Sequence, residues 1–271
     1  MNRLIKLLVC LTVLGGGIAY AAPTKFTTAK FVEVVKDVNV ISSSKEKKPA
    51  KKGASVNATE VIQTGANSRA ELEFSDHTVT RVGSDTRFSF VEDSRTINLQ
   101  QGSILFHSPK GKGGGTIQTA AATAAVTGTT IMVIASKNGF KLLVLEGNAN
   151  ATLPNGRTTR LRPGQMFFVS GEKTGKRDFD LKKMAGTSKL VNGFKKPLDS
   201  LDKIKNEATK QTNSSNRPGN SRDANLTKNR LDQNTLDASQ NDSPRSGVTR
   251  NTSNPKGASG EAATLFYNPW H

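Results

Sequence analysis

An apolar run from Thr123 to Asn148, TAAVTGTTIMVIASKNGFKLLVLEGN, constrains the fold of this chain more than any other stretch. The dipeptide Asn138-Gly139 interrupts it and is a strong hairpin signal, because both residues tolerate the positive φ of a type I′ turn. Each half is too short to cross a bilayer, and both contain β-branched residues that favour strands. Adjacent apolar residues are typical of strands covered on both faces. The run therefore predicts two central strands of a β core.

The rest of residues 26–172 shows apolar residues with a period of two, as in Ala70, Leu72 and Phe74. Turn residues recur about every eight to twelve positions, which is typical of all-β sandwiches and barrels. The predicted turns include Asp76-His77, Asn155-Gly156 and Pro163-Gly164. We predict an all-β fold, an antiparallel β-sandwich or β-roll of about ten strands.

Composition divides the remainder of the chain. Residues 1–22 combine a basic start, an apolar middle and a small-residue end at Ala19–Ala21, which predicts a secretory signal peptide; an uncleaved anchor is the alternative. Residues 23–172 form the predicted β-domain. Apolar residues at helical spacing in residues 173–211 predict a helical appendage with one or two short helices. Residues 212–271 are mostly polar and are predicted to be disordered.

Cleavage of the signal would remove Cys10, the one cysteine, and leave no transmembrane span. The sequence then predicts an exported protein, periplasmic or secreted, without disulfides or thiolate metal sites. The net charge is +17, of which the signal and residues 197–271 carry +2 each, so residues 23–196 carry +13. Such a balance favours anionic partners, and export favours envelope polymers over nucleic acid. Solubility is the alternative reason for these charges.

Seven lysines are the candidate anion-binding residues, predicted to lie in basic loops on one side of the domain. They are Lys45, Lys47, Lys48, Lys51, Lys52, Lys110 and Lys112. The segment Lys110–Gly115 lacks the Gly-Lys-Ser/Thr ending of a phosphate-binding P-loop. A flexible basic hairpin loop is expected there instead.

No catalytic motif stands out. His77 and His107 are predicted surface residues without metal-ligand spacing; a metal site formed where the fold brings the two together is the alternative. No serine or cysteine nucleophile has a neighbouring base. Carboxylates at Asp76 with Asp85, or at Glu92 with Asp93, fall at predicted turns, where Asp is common for structural reasons. We therefore expect no enzyme, no cofactor and no metal site, and a hydrolase using these carboxylates is the least supported alternative.

The chain ends with TLFYNPWH, an apolar motif after about 50 polar residues. A short apolar motif on a long tether is typical of a segment that docks on a partner's sheet edge or groove. The candidate docking residues are Leu265, Phe266, Tyr267 and Trp270. The alternatives are a strand that folds back on its own domain and a sticky end without function.

Five stretches in order make residues 30–170 resemble a FecR domain. They are VIQTGANSRAELEFSDHTVTRVGSDTRFSF, INLQQGSILFHSPKG, IQTAAATAAVTGTTIMV, LLVLEGNANATL and LRPGQMFFV. The family usually has Asp-Gly where this chain has Asp76-His77, which a turn tolerates. The resemblance implies an exported, non-catalytic β-domain. Well-known family members are membrane-spanning regulators that sense a ferric-siderophore transporter and control a sigma factor through cytoplasmic helices.

The sequence thus leads to three functional hypotheses. The first is a binding, sensing or scaffold module of the cell envelope with a protein partner. The second is a basic envelope protein that binds anionic polymers. The third is a component of a transmembrane iron-signalling system, which is less favoured because few residues precede the first apolar segment, so no cytoplasmic sigma-binding region is expected.

Overall fold

The computed structural model describes residues 24–215, which form seventeen strands and three helices. The predicted signal peptide, most of the predicted tail and the terminal aromatic motif lie outside the described residues. The predicted all-β fold is confirmed. The strands outnumber the expected ten because ten of the seventeen span only three or four residues, which is too short to show a clear period of two.

In chain order the strands are β1 (Thr28–Val35), β2 (Val38–Ile41), β3 (Lys47–Pro49), β4 (Ser55–Asn57), β5 (Val61–Thr64), β6 (Arg69–Phe74), β7 (Val79–Val82), β8 (Arg87–Phe90), β9 (Thr96–His107), β10 (Gly115–Gln118), β11 (Thr123–Val126), β12 (Thr130–Ser136), β13 (Gly139–Glu146), β14 (Ala149–Thr152), β15 (Thr158–Leu161), β16 (Gln165–Ser170) and β17 (Lys173–Asp178). The helices are α1 (Leu181–Thr187), α2 (Lys189–Asn192) and α3 (Leu201–Ser215). The segment 173–178, predicted to begin the helical appendage, is therefore a strand, and α3 extends beyond residue 211.

The strands form two layers that share β9. The first layer has the order β4-β1-β6-β7-β9-β12-β13-β16-β17. The second has the order β3-β2-β5-β8-β9-β10-β11-β14-β15. Among the described strands, all pairs are antiparallel except β9 with β10. The loop Lys110–Gly114 is thus a crossover between layers, and the expected hairpin at this loop is wrong.

Strand β9 passes from the second layer to the first at Gly102. This residue has a φ of +92°, and a Cβ added to it would lie 2.4 Å from the Cα of Thr86. Both the left-handed backbone and the close approach require glycine. The bend at Gly102 therefore fixes how the two layers join.

The predicted central strands are β12 and β13, and they are covered on both faces. Their inward residues, such as Val133 and Leu142, belong to the core between the layers. Their outward residues, such as Met132 and Leu143, belong to a second cluster with the three helices. The hairpin turn lies at Lys137-Asn138 because Ser136 pairs with Gly139. The predicted left-handed turn is wrong, since neither Asn138 nor Gly139 has a positive φ.

Arg81 of β7 connects the first layer to the helical layer, which consists of α1, α2 and α3. Its side chain is 1% exposed, and its Nε donates to Glu71 at 2.6 Å. Its other nitrogens donate to the backbone carbonyls of Leu190, Val191 and Lys196. The guanidinium also lies 4.5 Å from the ring centroid of Phe194. Burial lowers the pKa of Arg81. Within residues 24–215, the helices are too short or too polar to cross a membrane.

Candidate functional site

A groove of about 250 Å³ lies on the outer face of the first layer, beside α2. It runs across neighbouring strands of this layer, from β6 past the end of β7 to β9, β12 and β13. Its lining residues are Asn67, Ser68, Arg69, Gly83, Ser84, Asp85, Gly102, Ser103, Met132, Ile134, Ala135, Ser136, Gly139, Phe140, Lys141, Lys189 and Leu190. We call it the α2 groove.

Strand register produces a row of residues across the groove. Ile134 pairs with Ser103 on one side and with Lys141 on the other. Gly83 donates its N–H to the carbonyl of Ser103, and Arg69 follows in the next strand. Side chains paired across neighbouring strands lie on one face of a sheet. That face is the helix side, because Ile134 packs against the helical cluster and Arg69 donates to the carbonyl of Gly193 at 2.7 Å.

Two small residues make the centre of this row a trough. Gly83 has no side chain, and a Cβ there would lie 2.2 Å from the Oγ of Ser103. The Ser103 hydroxyl therefore covers Gly83, and the centre of the row carries only this one small side chain. Met132, Ile134 and Leu190 provide the apolar part of the wall.

The charged residues of the lining are mostly cationic. Three cations, Arg69, Lys141 and Lys189, and one carboxylate, Asp85, line the groove. Lys141 is partly buried, and this burial lowers the pKa of its amine. The guanidinium of Arg69 lies 5.7 Å from the ring centroid of Phe194, which holds the side chain against the end of α2. The α2 groove thus combines an apolar wall with an excess of positive charge.

The predicted anion-binding lysines form two separate groups. One group lies around β3 and consists of Lys45, Lys47, Lys48, Lys51 and Lys52, all exposed. The other, Lys110 and Lys112, lies in the loop after β9. Three strands separate β3 from β9 in the second layer, and three strands separate β4 from β9 in the first. At the usual strand spacing, each separation is about 19 Å. The structure does not bring the two groups together, and neither lines the α2 groove.

The two described histidines also lie apart. His77 is exposed, has the predicted left-handed φ of 66°, and its Nδ1 lies 2.7 Å from Glu73. His107 is 5% exposed, so its prediction as a surface residue is wrong. Residues of α3 and its N-terminal end cover the strand end where it lies, which sequence spacing did not reveal. Among residues 24–215, no cluster of three or more potential ligands forms a metal site.

His107 belongs to a buried polar cluster between the first layer and α3. Its Nδ1 lies 2.9 Å from the Oγ1 of Thr130, which donates to the Oγ of Ser200 at 2.8 Å. Glu146 lies 3.4 Å from the same Thr130 oxygen. Burial lowers the pKa of His107 to about 4 and raises the pKa of Glu146. These groups are enclosed, so the cluster stabilises the contact between sheet and helix.

The carboxylates considered for hydrolysis have structural surroundings. Asp76 is buried, lies 2.6 Å from Arg95 and accepts from the backbone and hydroxyl of Thr78. Asp85 is an exposed turn residue with a φ of 51° at the other end of β7. Asp93 is another left-handed turn residue, with a φ of 56°. Asp76 and Asp85 therefore do not form a pair.

The sequence did not predict the α2 groove because its residues come from four strands, two turns and a helix. One local signal was present: Lys141 is the single cation within the apolar stretch GFKLLVLE. A cation in a strand that is covered on both faces is unusual. Lys141 lies at the position where the helices do not fully cover β13.

Comparison with known proteins gives one family match. Residues 60–150 match the family described as FecR protein, so the resemblance predicted from the sequence is confirmed over this span. The matched family is regulatory rather than catalytic. No curated protein matches the chain.

Two crystal structures, each of a candidate anti-sigma factor from Parabacteroides distasonis, are similar to the chain. The first is 20% identical with a TM-score of 0.41, and the alignment covers 48% of this chain and 64% of that one. The second is 17% identical with a TM-score of 0.42, covering 54% and 74%. The chain thus spans less than two thirds of the first structure.

Proposed function

We propose that this chain, whose residues 60–150 match the FecR protein family, is an exported, non-catalytic module of the cell envelope that binds a protein partner in a sensing or scaffold role. The family match supports a regulatory or sensing module. Export is proposed from the signal-like residues 1–22. The partner is an envelope protein.

One observation carries the binding role. All but two of the residues that line the α2 groove lie within the segment that matches the family. Ligand sites are typically concave and mostly apolar, with a few placed polar groups. The groove fits this description, whereas the buried polar cluster and the Asp76 ion pair are closed structural contacts.

Capture experiments on the cell envelope test this function. The tagged full chain is incubated with solubilised envelope at low and high salt, and bound material is analysed for protein and for anionic polymer. We expect one discrete protein at a fixed ratio to the chain, retained at high salt. Recovery of no discrete protein at either salt concentration would contradict the proposal.

A second candidate function is the binding of anionic envelope polymers. It is favoured by the five exposed lysines around β3, of which Lys48 has a carboxylate partner, Glu46, at 3.1 Å. Such binding should weaken steeply with salt, because it depends on counterion release and screened charge. Replacement of Lys51 and Lys52 by Gln should reduce the polymer recovered and leave capture of a protein partner unchanged.

A further inference from the structure

The α2 groove has a shape that suits a linear occupant. Its central row runs from Arg69 in β6 to Lys141 in β13, with one residue from each of β6, β9, β12 and β13 and with Gly83 from the turn directly after β7. Five strands at the usual spacing span about 19 Å, and an extended chain covers this distance with about six residues. The row runs across the strands, so an occupant would lie over side chains and not extend the sheet by main-chain pairing.

Charge and polarity vary along this row. The cations Arg69 and Lys141 stand at its two ends, with Lys189 of α2 in the wall. Gly83 and Ser103 form the shallow centre, and Ile134 provides an apolar surface next to Lys141. An occupant that matches this arrangement has negative charge at both ends and apolar side chains between them.

The excess of positive charge in the groove favours a negatively charged occupant. Three cations and one carboxylate line the groove, and the chain as a whole has a net charge of +17. Complementary charge steers association and excludes partners of the wrong sign. Burial lowers the pKa of Lys141. A carboxylate of the occupant beside Lys141 would favour the charged form of the lysine.

We propose that the α2 groove binds an extended segment of a protein partner, about six residues long, in which acidic residues flank apolar ones. The proposal rests on the proposed binding function and names the chemistry of the partner. The apolar side chains of the segment pack on Ile134, the partly exposed member of the apolar wall, whereas Met132 and Leu190 are buried. Its carboxylates meet Lys141 at one end and Arg69 at the other, with Lys189 in the wall.

The test uses a fluorescein-labelled hexapeptide, Glu-Ser-Leu-Leu-Ser-Glu with blocked ends, and fluorescence anisotropy with the full chain. Two matched peptides replace both Glu by Gln, or both Leu by Ser. We expect the Glu peptide to bind at least five-fold more tightly than either matched peptide at low salt. Equal dissociation constants for the Glu and Gln peptides would overturn the proposal.

Variants locate the site. Lys141→Gln should remove most of the preference for Glu over Gln, whereas Lys176→Gln, an exposed lysine on β17 outside the groove, should not change it. Ser103→Phe should fill the trough and weaken binding at least ten-fold. Lys141→Glu should reverse the preference toward a peptide with Lys in place of Glu. If Ser103→Phe lowers the folded fraction, the Lys141 variants decide the outcome.

The outcomes separate this proposal from the proposed function. A discrete envelope protein that is captured equally by the wild type and by Lys141→Glu would place the partner elsewhere on the chain, so the groove proposal would fail while the binding function stands. Peptide preference in the expected direction without any captured protein would support the groove and contradict the proposed function. A groove that binds all three peptides equally has no charge selectivity, and this result also overturns the proposal.

Discussion

Replacement of Arg81 by Met should loosen the helical layer and destabilise the whole domain. Arg81 makes an ion pair with Glu71, which is 4% exposed, and donates to three carbonyls around α2. Removing one partner of a buried ion pair typically costs about 3–5 kcal/mol, because the other charge stays buried without compensation. This is a large fraction of the 5–15 kcal/mol that usually separates folded from unfolded states.

Urea unfolding of the full chain, followed by circular dichroism, measures this loss for Arg81→Met. The double variant Arg81→Met/Glu71→Met is the matched control, since it removes the uncompensated charge. We expect the double variant to lose at least about 1 kcal/mol less than the sum of the two single variants, within the usual range for contacting residues. A loss below 1 kcal/mol for Arg81→Met, or additive losses, would refute the role given to the buried pair.

Three further predictions follow from the described residues. The pKa of His107 is about 4 in the folded chain and 6.5 in the unfolded chain, so the unfolded state binds more protons between these pH values. Acidification from pH 7 to pH 5 should therefore lower the free energy of unfolding of the wild type by about 2 kcal/mol relative to His107→Gln. The raised pKa of Glu146 acts in the opposite direction in both proteins, and an equal pH dependence of the two proteins in urea unfolding would contradict the prediction. Gly102→Ala should lower the midpoint of thermal unfolding by several degrees, because Gly102 has a positive φ and its Cβ would contact Thr86. Gly156 also has a positive φ but has open space around it, so Gly156→Ala should lower the midpoint less. Equal shifts of the midpoint would contradict the close approach at Gly102. A chain that ends after Ser215 should unfold with the same urea midpoint as the full chain, because both buried clusters lie between Phe26 and Ala208, and a lower midpoint would show that residues beyond 215 contribute to stability.

Local sequence pattern predicted the parts of this fold that depend on neighbouring residues. The apolar run from Thr123 to Asn148 contains β11, β12 and β13, and its adjacent apolar residues correctly indicated strands with cover on both sides. The turn at His77 followed from residue preference for a left-handed backbone. Short strands such as Lys47–Pro49 gave no signal, because three polar or cyclic residues show no period.

The features that decide function depend on register and on distant residues. No local pattern indicates that Gly83, Ser103 and Lys141 share one row, because this requires the pairing of β7, β9, β12 and β13. The burial of His107 likewise depends on Ser200, about 90 positions later in the sequence. Similarly, the seven lysines looked like one basic surface until the strand order separated them into two groups.

Site-specific photo-crosslinking in intact cells tests whether a partner protein binds in the α2 groove. A photoreactive phenylalanine analogue replaces Ser136, an exposed residue at the rim of the α2 groove, or Lys176 on β17 as the control, and mass spectrometry identifies the adducts. We expect one discrete envelope protein at position 136, attached through a segment in which acidic residues flank apolar ones, and no such adduct at position 176. The same protein at both positions, or adducts at 176 alone, would contradict the assignment of the groove as the binding site.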